Sequence, residues 1–447
     1  MTTKAVVIGG SIAGLLSACA LAETFDDVLV LERGEFPEEA VARPSVPQGA
    51  HAHGLLAGGL RALEELLPGL TEELIQRGCP TGDNLRDAAW VFGGCRLAIG
   101  DSGVRGMTLG RPLLEHVIRE RVRALRNVRI QTHVRCGGLI AADARIVGVR
   151  ATIDGVDQQV AADLVVDASG RNSKLTAWLF QLGFTPPAVD EVEVETHYVT
   201  RVYPRRPQHL AGGIAVVVVS DPQMPRGGIA VALDERRWLV SLYAMGAMHP
   251  PKDHAGFVEF ARTLAGPQLT EIVDDAEPLG DVATLRFPSS IRRRYERARR
   301  LPEGLVVVGD AMASFNPTFG QGITVAAQQA LLLRELGSHG SCRGYFKRAA
   351  RIRDVAWDAS VGRLFSYPGV VGRPTLKMRL AQRYLPRVIA RARVDVVVAT
   401  ALLEVMQFLA PPESLFAWRI LRRVFGRTRS SPRLELADAP ERRAGAR

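Results

Sequence analysis

The run Lys4-Ala5-Val6-Val7-Ile8-Gly9-Gly10-Ser11-Ile12-Ala13-Gly14 constrains this chain more than any other. A short β-branched stretch enters a glycine-rich turn, and the turn opens a helix-forming stretch, 14–23. A second apolar run, 26–33, follows and ends in acid. Strand, turn, helix, strand is the opening unit of a parallel sheet. A tight reversal at the strand end needs a residue without Cβ. Small residues beyond it let the backbone approach a pyrophosphate at the helix N-terminus. Gly9, Gly10, Ala13 and Gly14 meet those needs, while Ser11 stands where the second glycine of G-x-G-x-x-G falls and offers a hydroxyl. Glu32, 18 residues after Gly14 and followed by Arg33, places a carboxylate to accept from a ribose diol. An acid there disfavours a ribose 2′-phosphate, so the unit predicts FAD or NAD rather than NADP.

A second segment points to the same ligand. In 304–333 a buried-type strand ends at Gly309-Asp310, and Pro317, Gly320, Gln321 and Gly322 form a turn into a helix starting near Ile323. Asp310 can bond a ribityl or ribose hydroxyl. The helix N-terminus offers free N–H groups and a positive dipole to an anion. Reduced flavin carries negative charge on its N1–C2=O edge. Gly320 and Gly322 would let a flat ring lie against the backbone.

Between these segments the chain changes character. A loop-like stretch, 35–54, carries Arg43, His51 and His53, and two amphipathic helices are predicted within 55–70 and 110–125. Strand-like runs then lead to Asp167-Ala168-Ser169-Gly170. From Val192 to Met245 alternating and apolar runs separated by turns predict an inserted antiparallel sheet. From about Gly344 the chain reads as helical. The stretch Val394–Ala410 contains Asp395 and Glu404, so it reads as a buried helix rather than a membrane span.

The 447 residues allow two or three domains. The formal charge of +10 is uneven: residues 343–447 carry 22 basic and 8 acidic side chains, and the body is near neutral. That basic quarter could touch an anionic membrane weakly. No nucleic-acid motif accompanies it, so nucleic acid is not expected as a partner. The five cysteines, Cys19, Cys79, Cys95, Cys136 and Cys342, show no metal-ligand spacing, and neither a zinc site nor a disulfide framework is expected. His51 and His53 lack further ligands for a metal and read as loop residues. Met1–Lys4 leads straight into the first strand, and a cytoplasmic location is expected.

Taken together, GGSIAG with Glu32, DLVVDASGRNSKL and VVGDAMASFNPTFGQG resemble the class A flavoprotein monooxygenases, the para-hydroxybenzoate hydroxylase fold. ARPSVPQGAHAHGLL and LGRPLLEHVI are similar to a bacterial subgroup of squalene-epoxidase-like and polyether polyketide epoxidases and related hydroxylases. The resemblance implies an α/β fold. It has a Rossmann-like FAD-binding domain built from 1–75, 100–185 and 275–345, and a β-sheet substrate domain from 76–99 and 186–274. A helical region, 346–430, and a flexible tail, 431–447, complete it. It implies that Gly9, Ser11 and Gly14 approach the FAD pyrophosphate and that Glu32 takes the adenosine ribose. Arg43 and Arg111 would reach the cofactor, the Val134 backbone would face adenine, Asp310 would bind the ribityl chain, and Pro317, Gly320 and Gly322 would flank the isoalloxazine.

The implied activity is FAD-dependent epoxidation or hydroxylation of a lipophilic polyketide, polyene or aromatic substrate by O₂, through a flavin C4a-hydroperoxide. NAD(P)H would act transiently or through a flavin reductase. The family's middle motif carries Asp before Gly, whereas Ser169 precedes Gly170 here, with Asp167 two residues earlier. Arg171 and Lys174 are the nearby candidates for a nicotinamide nucleotide. The WxWxIP element of flavin halogenases is absent. A non-redox cyclase and an isoprenoid reductase or quinone hydroxylase of the same fold are the alternatives.

Overall fold

The computed structural model describes residues 2–337, 340–367 and 369–426. The expected tail, 431–447, lies outside them. Strand β1 (Lys4–Ile8), helix α1 (Ile12–Leu21) and strand β2 (Asp27–Leu31) form the predicted opening unit. β1 is central in a five-stranded sheet of order Leu305–Val307, Leu164–Asp167, β1, β2, Val128–Gln131, with every pairing parallel. Such strands are buried on both faces, which is why they read as continuous apolar runs rather than alternating ones. Ala5, Val6 and Val7 are fully buried. The C-terminal ends of β1 and of its neighbours release the segments beginning at Gly9, Ala168 and Val308 at one edge. In open α/β sheets that edge holds the ligand.

A second, eight-stranded sheet runs Ala313–Ser314, Leu279–Arg293, Val189–Pro204, Arg237–Met245, Arg226–Ala232, Ala215–Val219, Ala88–Phe92, Cys95–Arg96. It is mostly antiparallel, as expected, but Ala215–Val219 pairs in parallel with Ala88–Phe92. Leu279–Arg293 belongs to this sheet, although its sequence position falls within 275–345, the stretch expected to complete the FAD-binding domain. Its polar, Pro-containing sequence hid it. Pro288 lies opposite the irregularity between Glu193 and Thr196, where a proline costs no ladder bond.

The sheet's two faces serve different purposes. Ala89, Val91, Val216, Val218, Ala230 and Ala232 point to a core closed by Phe257, Phe260 and Ala261 of helix His254–Arg262. The alternate residues form two rows across three strands, Val231–Ala215–Ala88 and Ile229–Val217–Trp90. These rows face the region between the sheets.

The C-terminal helices are Cys342–Leu364, Leu376–Ala392, Val396–Met406 and Trp418–Phe425. Val396–Met406 is the expected buried segment, capped by Asp395, which also binds Arg391 and Arg423. No described helix is long and apolar enough to cross a membrane. The first of these helices is fastened by Arg353, whose side chain is fully buried. It donates to both oxygens of Glu296 at 2.9 Å and to Asp354 Oδ1 at 2.8 Å. Removing one partner of a buried ion pair leaves a desolvated charge behind. Arg353→Met is therefore expected to lower the unfolding free energy by about 3 kcal/mol, read as a shift of the urea midpoint.

Candidate cofactor and substrate site

The glycine-rich turn has the close contacts its spacing predicts. Gly9 has φ +105°, and a Cβ on it would lie 2.6 Å from the Ala168 carbonyl oxygen. A Cβ on Gly14 would lie 1.8 Å from the Gly9 carbonyl oxygen, so only glycine lets α1 sit this close to the strand end. Ala13 packs beneath, 2.8 Å from where a Gly309 Cβ would stand. Glu32 is buried at the end of β2 and accepts from the Gly10 N–H at 2.7 Å and the Gly34 N–H at 2.9 Å. Its carboxylate thus fixes the turn and retains lone pairs for a ribose diol. Arg33 is exposed and reaches only the Ser45 carbonyl, at 3.5 Å. The buried Val134 donates its N–H to the Glu32 carbonyl at 2.9 Å, placing it beside that carboxylate's backbone.

Next to the turn lies a buried charge network that the fingerprint alone does not show. Ser11 donates its hydroxyl to Glu115 Oε2 at 2.9 Å and accepts from Arg111 Nη2 at 3.1 Å. Arg43 pairs with Glu115 and lies 3.8 Å from Glu32. Arg43 is 5% exposed, and its Nε and Nη1, like Arg111 Nε, are buried without a hydrogen-bond partner among the described residues. Burial pushes the Arg111 guanidinium down from its ordinary value, against the pull of Glu115 and Asp310. Buried guanidinium N–H groups beside a glycine turn and a helix N-terminus are a donor set that fits a pyrophosphate. FAD therefore fits these residues.

The second segment meets the first at Asp310, which follows strand Leu305–Val307. Burial raises its carboxyl above the usual range, while Arg111, Arg171 and Arg293 pull it back. Gly322 opens helix Gly322–Leu336, and its Cβ position lies 3.9 Å from Asp310 Oδ1. The first backbone bond of that helix is Val325 N–H to the Gln321 carbonyl, leaving the N–H groups of Gly322, Ile323 and Thr324 ahead of it. Gly320 is left-handed at φ +63°, with its Cβ position 3.3 Å from Gly54 Cα, so two glycine backbones oppose each other. The Pro317 turn is held by the buried Asn316, whose Oδ1 accepts from Thr318 N–H, Thr318 Oγ1 and Tyr198 OH.

Both histidines are held by hydrogen bonds, and one of them touches the network. His51 Nδ1 is 2.7 Å from Thr200 Oγ1. His53 Nε2 lies 3.2 Å from Arg111 Nη1 and must accept, so its Nδ1–H donates to the His51 carbonyl at 2.8 Å. That fixes a neutral tautomer. Arg171 is committed elsewhere: it donates to the Ser289 carbonyl at 2.5 Å and to Ser289 Oγ at 2.6 Å, with its guanidinium over Phe287. Lys174 is exposed. Asp167 spends its carboxylate on Ser169 and Ser173.

A cavity open to solvent adjoins the Pro317–Gly320 turn. One wall is the pair of apolar rows on the eight-stranded sheet. Leu55 and Leu56 and the turn form another, and Asn84 and Thr108 supply polar atoms. Gln407, at the end of helix Val396–Met406, lines the cavity and accepts from the Ala57 N–H at 2.8 Å. The structure therefore brings together Gly9, Gly10, Ser11, Ala13, Gly14, Glu32, Arg43, Arg111, Asp310, Gly320 and Gly322, and leaves the Arg33 side chain outside. Sequence reasoning missed Glu115, Asn316, Thr108 and Gln407. Glu115 had a signal: it is an acid flanked by Leu114, Val117 and Ile118 on the apolar face of helix Arg111–Arg123.

The profile of a family described as "FAD binding domain" matches residues 2–337. The chain belongs to that FAD-binding family. The family match and the sheet topology agree with the expected class A flavoprotein monooxygenase-like fold. Protein Rv3254 of Mycobacterium tuberculosis is 34% identical over 363 residues, covering 79% of this chain and 74% of that protein. Kynurenine 3-monooxygenase of Salinispora tropica is 26% identical over 361 residues, covering 74% and 72%. The structure of the myxobacterial chondrochloren halogenase, an FAD-dependent halogenase, matches with a TM-score of 0.62 and 18% identity, over 92% of this chain and 98% of that one. At that identity the likeness shows the fold alone.

Arg111→Ala removes a buried donor from the network beside the glycine turn. It should weaken FAD binding to the apoprotein at least about tenfold, read by flavin fluorescence on reconstitution. Burial and Arg111 push His53 down to about 3, and burial pushes His51 down to about 4. Both stay neutral when folded, whereas in the unfolded chain they take up protons below about 6.5. Their contribution is complete above that value and is lost as pH falls from there through the folded values. Urea midpoints should therefore drop between pH 7 and pH 5, and the drop should shrink in His53→Gln.

Proposed function

We propose that this protein is an FAD-dependent monooxygenase that hydroxylates or epoxidises a lipophilic polyketide, polyene or aromatic substrate. The observation that carries this reading is the adjacency of the apolar cavity to the Pro317–Gly320 turn and the N-terminus of helix Gly322–Leu336. FAD, when bound and reduced, would supply the activation of O₂. The chain's own residues bind and orient. Ser11, Arg43 and Arg111 hold the pyrophosphate, Glu32 and Asp310 hold the sugar and ribityl hydroxyls, and the free N–H groups after Gln321 favour an anionic ring edge. Leu55, Leu56 and the sheet rows keep water from the reacting face.

The likeness to kynurenine 3-monooxygenase supports oxygen insertion over halogenation, and so does the missing WxWxIP element. Reduction by NAD(P)H is transient or comes through a flavin reductase. In support, Arg171 is engaged with Ser289, and Lys174 is the candidate left facing solvent.

The test is rapid mixing of the photoreduced, FAD-loaded protein with O₂, with and without lipophilic phenols and polyenes. A flavin absorbance transient distinct from both the reduced and oxidised spectra, prolonged by a productive substrate, is the expected result. Direct return to oxidised flavin under every condition would overturn the oxygenase reading and favour a non-redox cyclase or a reductase.

A further inference from the structure

The polar groups of the cavity specify its ligand more closely than its apolar walls do. Among the described residues, no Lys or Arg lines it. His53, the basic group it contains, is held neutral between Arg111 and the His51 carbonyl. The acid at its rim, Asp83, is saturated by the N–H groups of Leu85, Arg86 and Ser102 and by the Ser102 hydroxyl. Trp90 donates its indole N–H to the Asn84 carbonyl at 3.0 Å, which leaves its ring as an apolar surface. Gln407 spends its Oε1 on Ala57.

One lining side chain stands apart. Thr108 is 9% exposed, and its Oγ1 is buried with no hydrogen-bond partner among the described residues. Its backbone is fixed, since its N–H donates to the Pro80 carbonyl at 2.9 Å just beyond strand Arg105–Met107. A buried hydroxyl without a partner is costly unless a ligand completes it. A carboxylate in this cavity would meet the Asp83 charge with no cation to offset its desolvation.

We propose that the substrate is uncharged, with an apolar body against the Ile229–Val217–Trp90 row and one hydroxyl or carbonyl group hydrogen-bonded to Thr108. Thr108 is thereby a specificity-determining residue. The inference rests on the cavity being the substrate site of the oxygenase reading.

Equilibrium binding to the oxidised, FAD-loaded protein tests it without any turnover, by the perturbation of the flavin spectrum. The probes are naphthalene, 2-naphthol and 2-naphthoate. 2-Naphthol is expected to bind about tenfold more tightly than naphthalene, and 2-naphthoate more weakly than either. In Thr108→Val the advantage of 2-naphthol over naphthalene should disappear. Thr108→Ser should restore the advantage, which separates a hydroxyl contact from a packing defect. Tighter binding of 2-naphthoate, an unchanged 2-naphthol advantage in Thr108→Val, or no perturbation by any probe would each overturn the proposal. A failure of the oxygenase reading shows instead in the reaction with O₂ and leaves these binding constants untouched.

Discussion

The arginine pair Arg43 and Arg111 sets the terms for the rest of the molecule. Two guanidinium groups lie buried against the N-terminal turn of α1, with Glu32 and Glu115 as their carboxylate partners and buried N–H groups left over. Charges are kept inside a protein only when paired or used. Pairing accounts for part of this set, and the remainder is a donor set that fits a pyrophosphate at the fingerprint turn. These four groups reach the turn from three segments: the end of β2, the loop after it, and helix Arg111–Arg123, which supplies both Arg111 and Glu115. Their convergence is what the five-stranded sheet achieves. The edge where its strands end gathers Gly9, Ser169 and Asp310 around one crevice, and the glycine contacts at Gly9 and Gly14 let α1 close against it.

The second sheet extends the same logic to the cavity. Alternation along Ala88–Phe92, Ala215–Val219 and Arg226–Ala232 sends one set of side chains into a closed core and the rows of the other face towards the cavity beside the Pro317–Gly320 turn. A one-residue slip in any of the three would turn the apolar rows into the core and the core into the cavity. The register thus defines both stability and the shape of the pocket. The C-terminal helices complete the enclosure through Gln407, which joins the end of Val396–Met406 to the start of helix Ala57–Leu66.

Much of this was legible in the residues because local chemistry dictates it. A helix packed so tightly that a Cβ on Gly14 would lie 1.8 Å from the Gly9 carbonyl oxygen leaves a mark at Gly14 that only glycine can satisfy. Parallel strands buried on both faces announce themselves as apolar runs. Leu279–Arg293 did not, because it pairs through irregularities and contains Pro288 and many polar residues. Glu115 and Asn316 were harder to read for another reason. Glu115 shows locally only as an acid on an apolar helix face, and the roles of both arise from long-range contacts, Glu115 with residues 72 and 104 positions away and Asn316 with one 118 away. Arg171 illustrates the converse. Its position near the middle motif suggests a nucleotide contact, yet tertiary packing commits it to Ser289.

The central claim is that the buried arginine network and Glu32 are built for a dinucleotide, so that the flavin is held chiefly through its adenylate half. Competition between FAD and FMN on the apoprotein tests this most directly. The account predicts saturable, stoichiometric binding of FAD that about a hundredfold excess of FMN fails to displace. Equal affinity for FMN, or its displacement of FAD at comparable concentration, would contradict it.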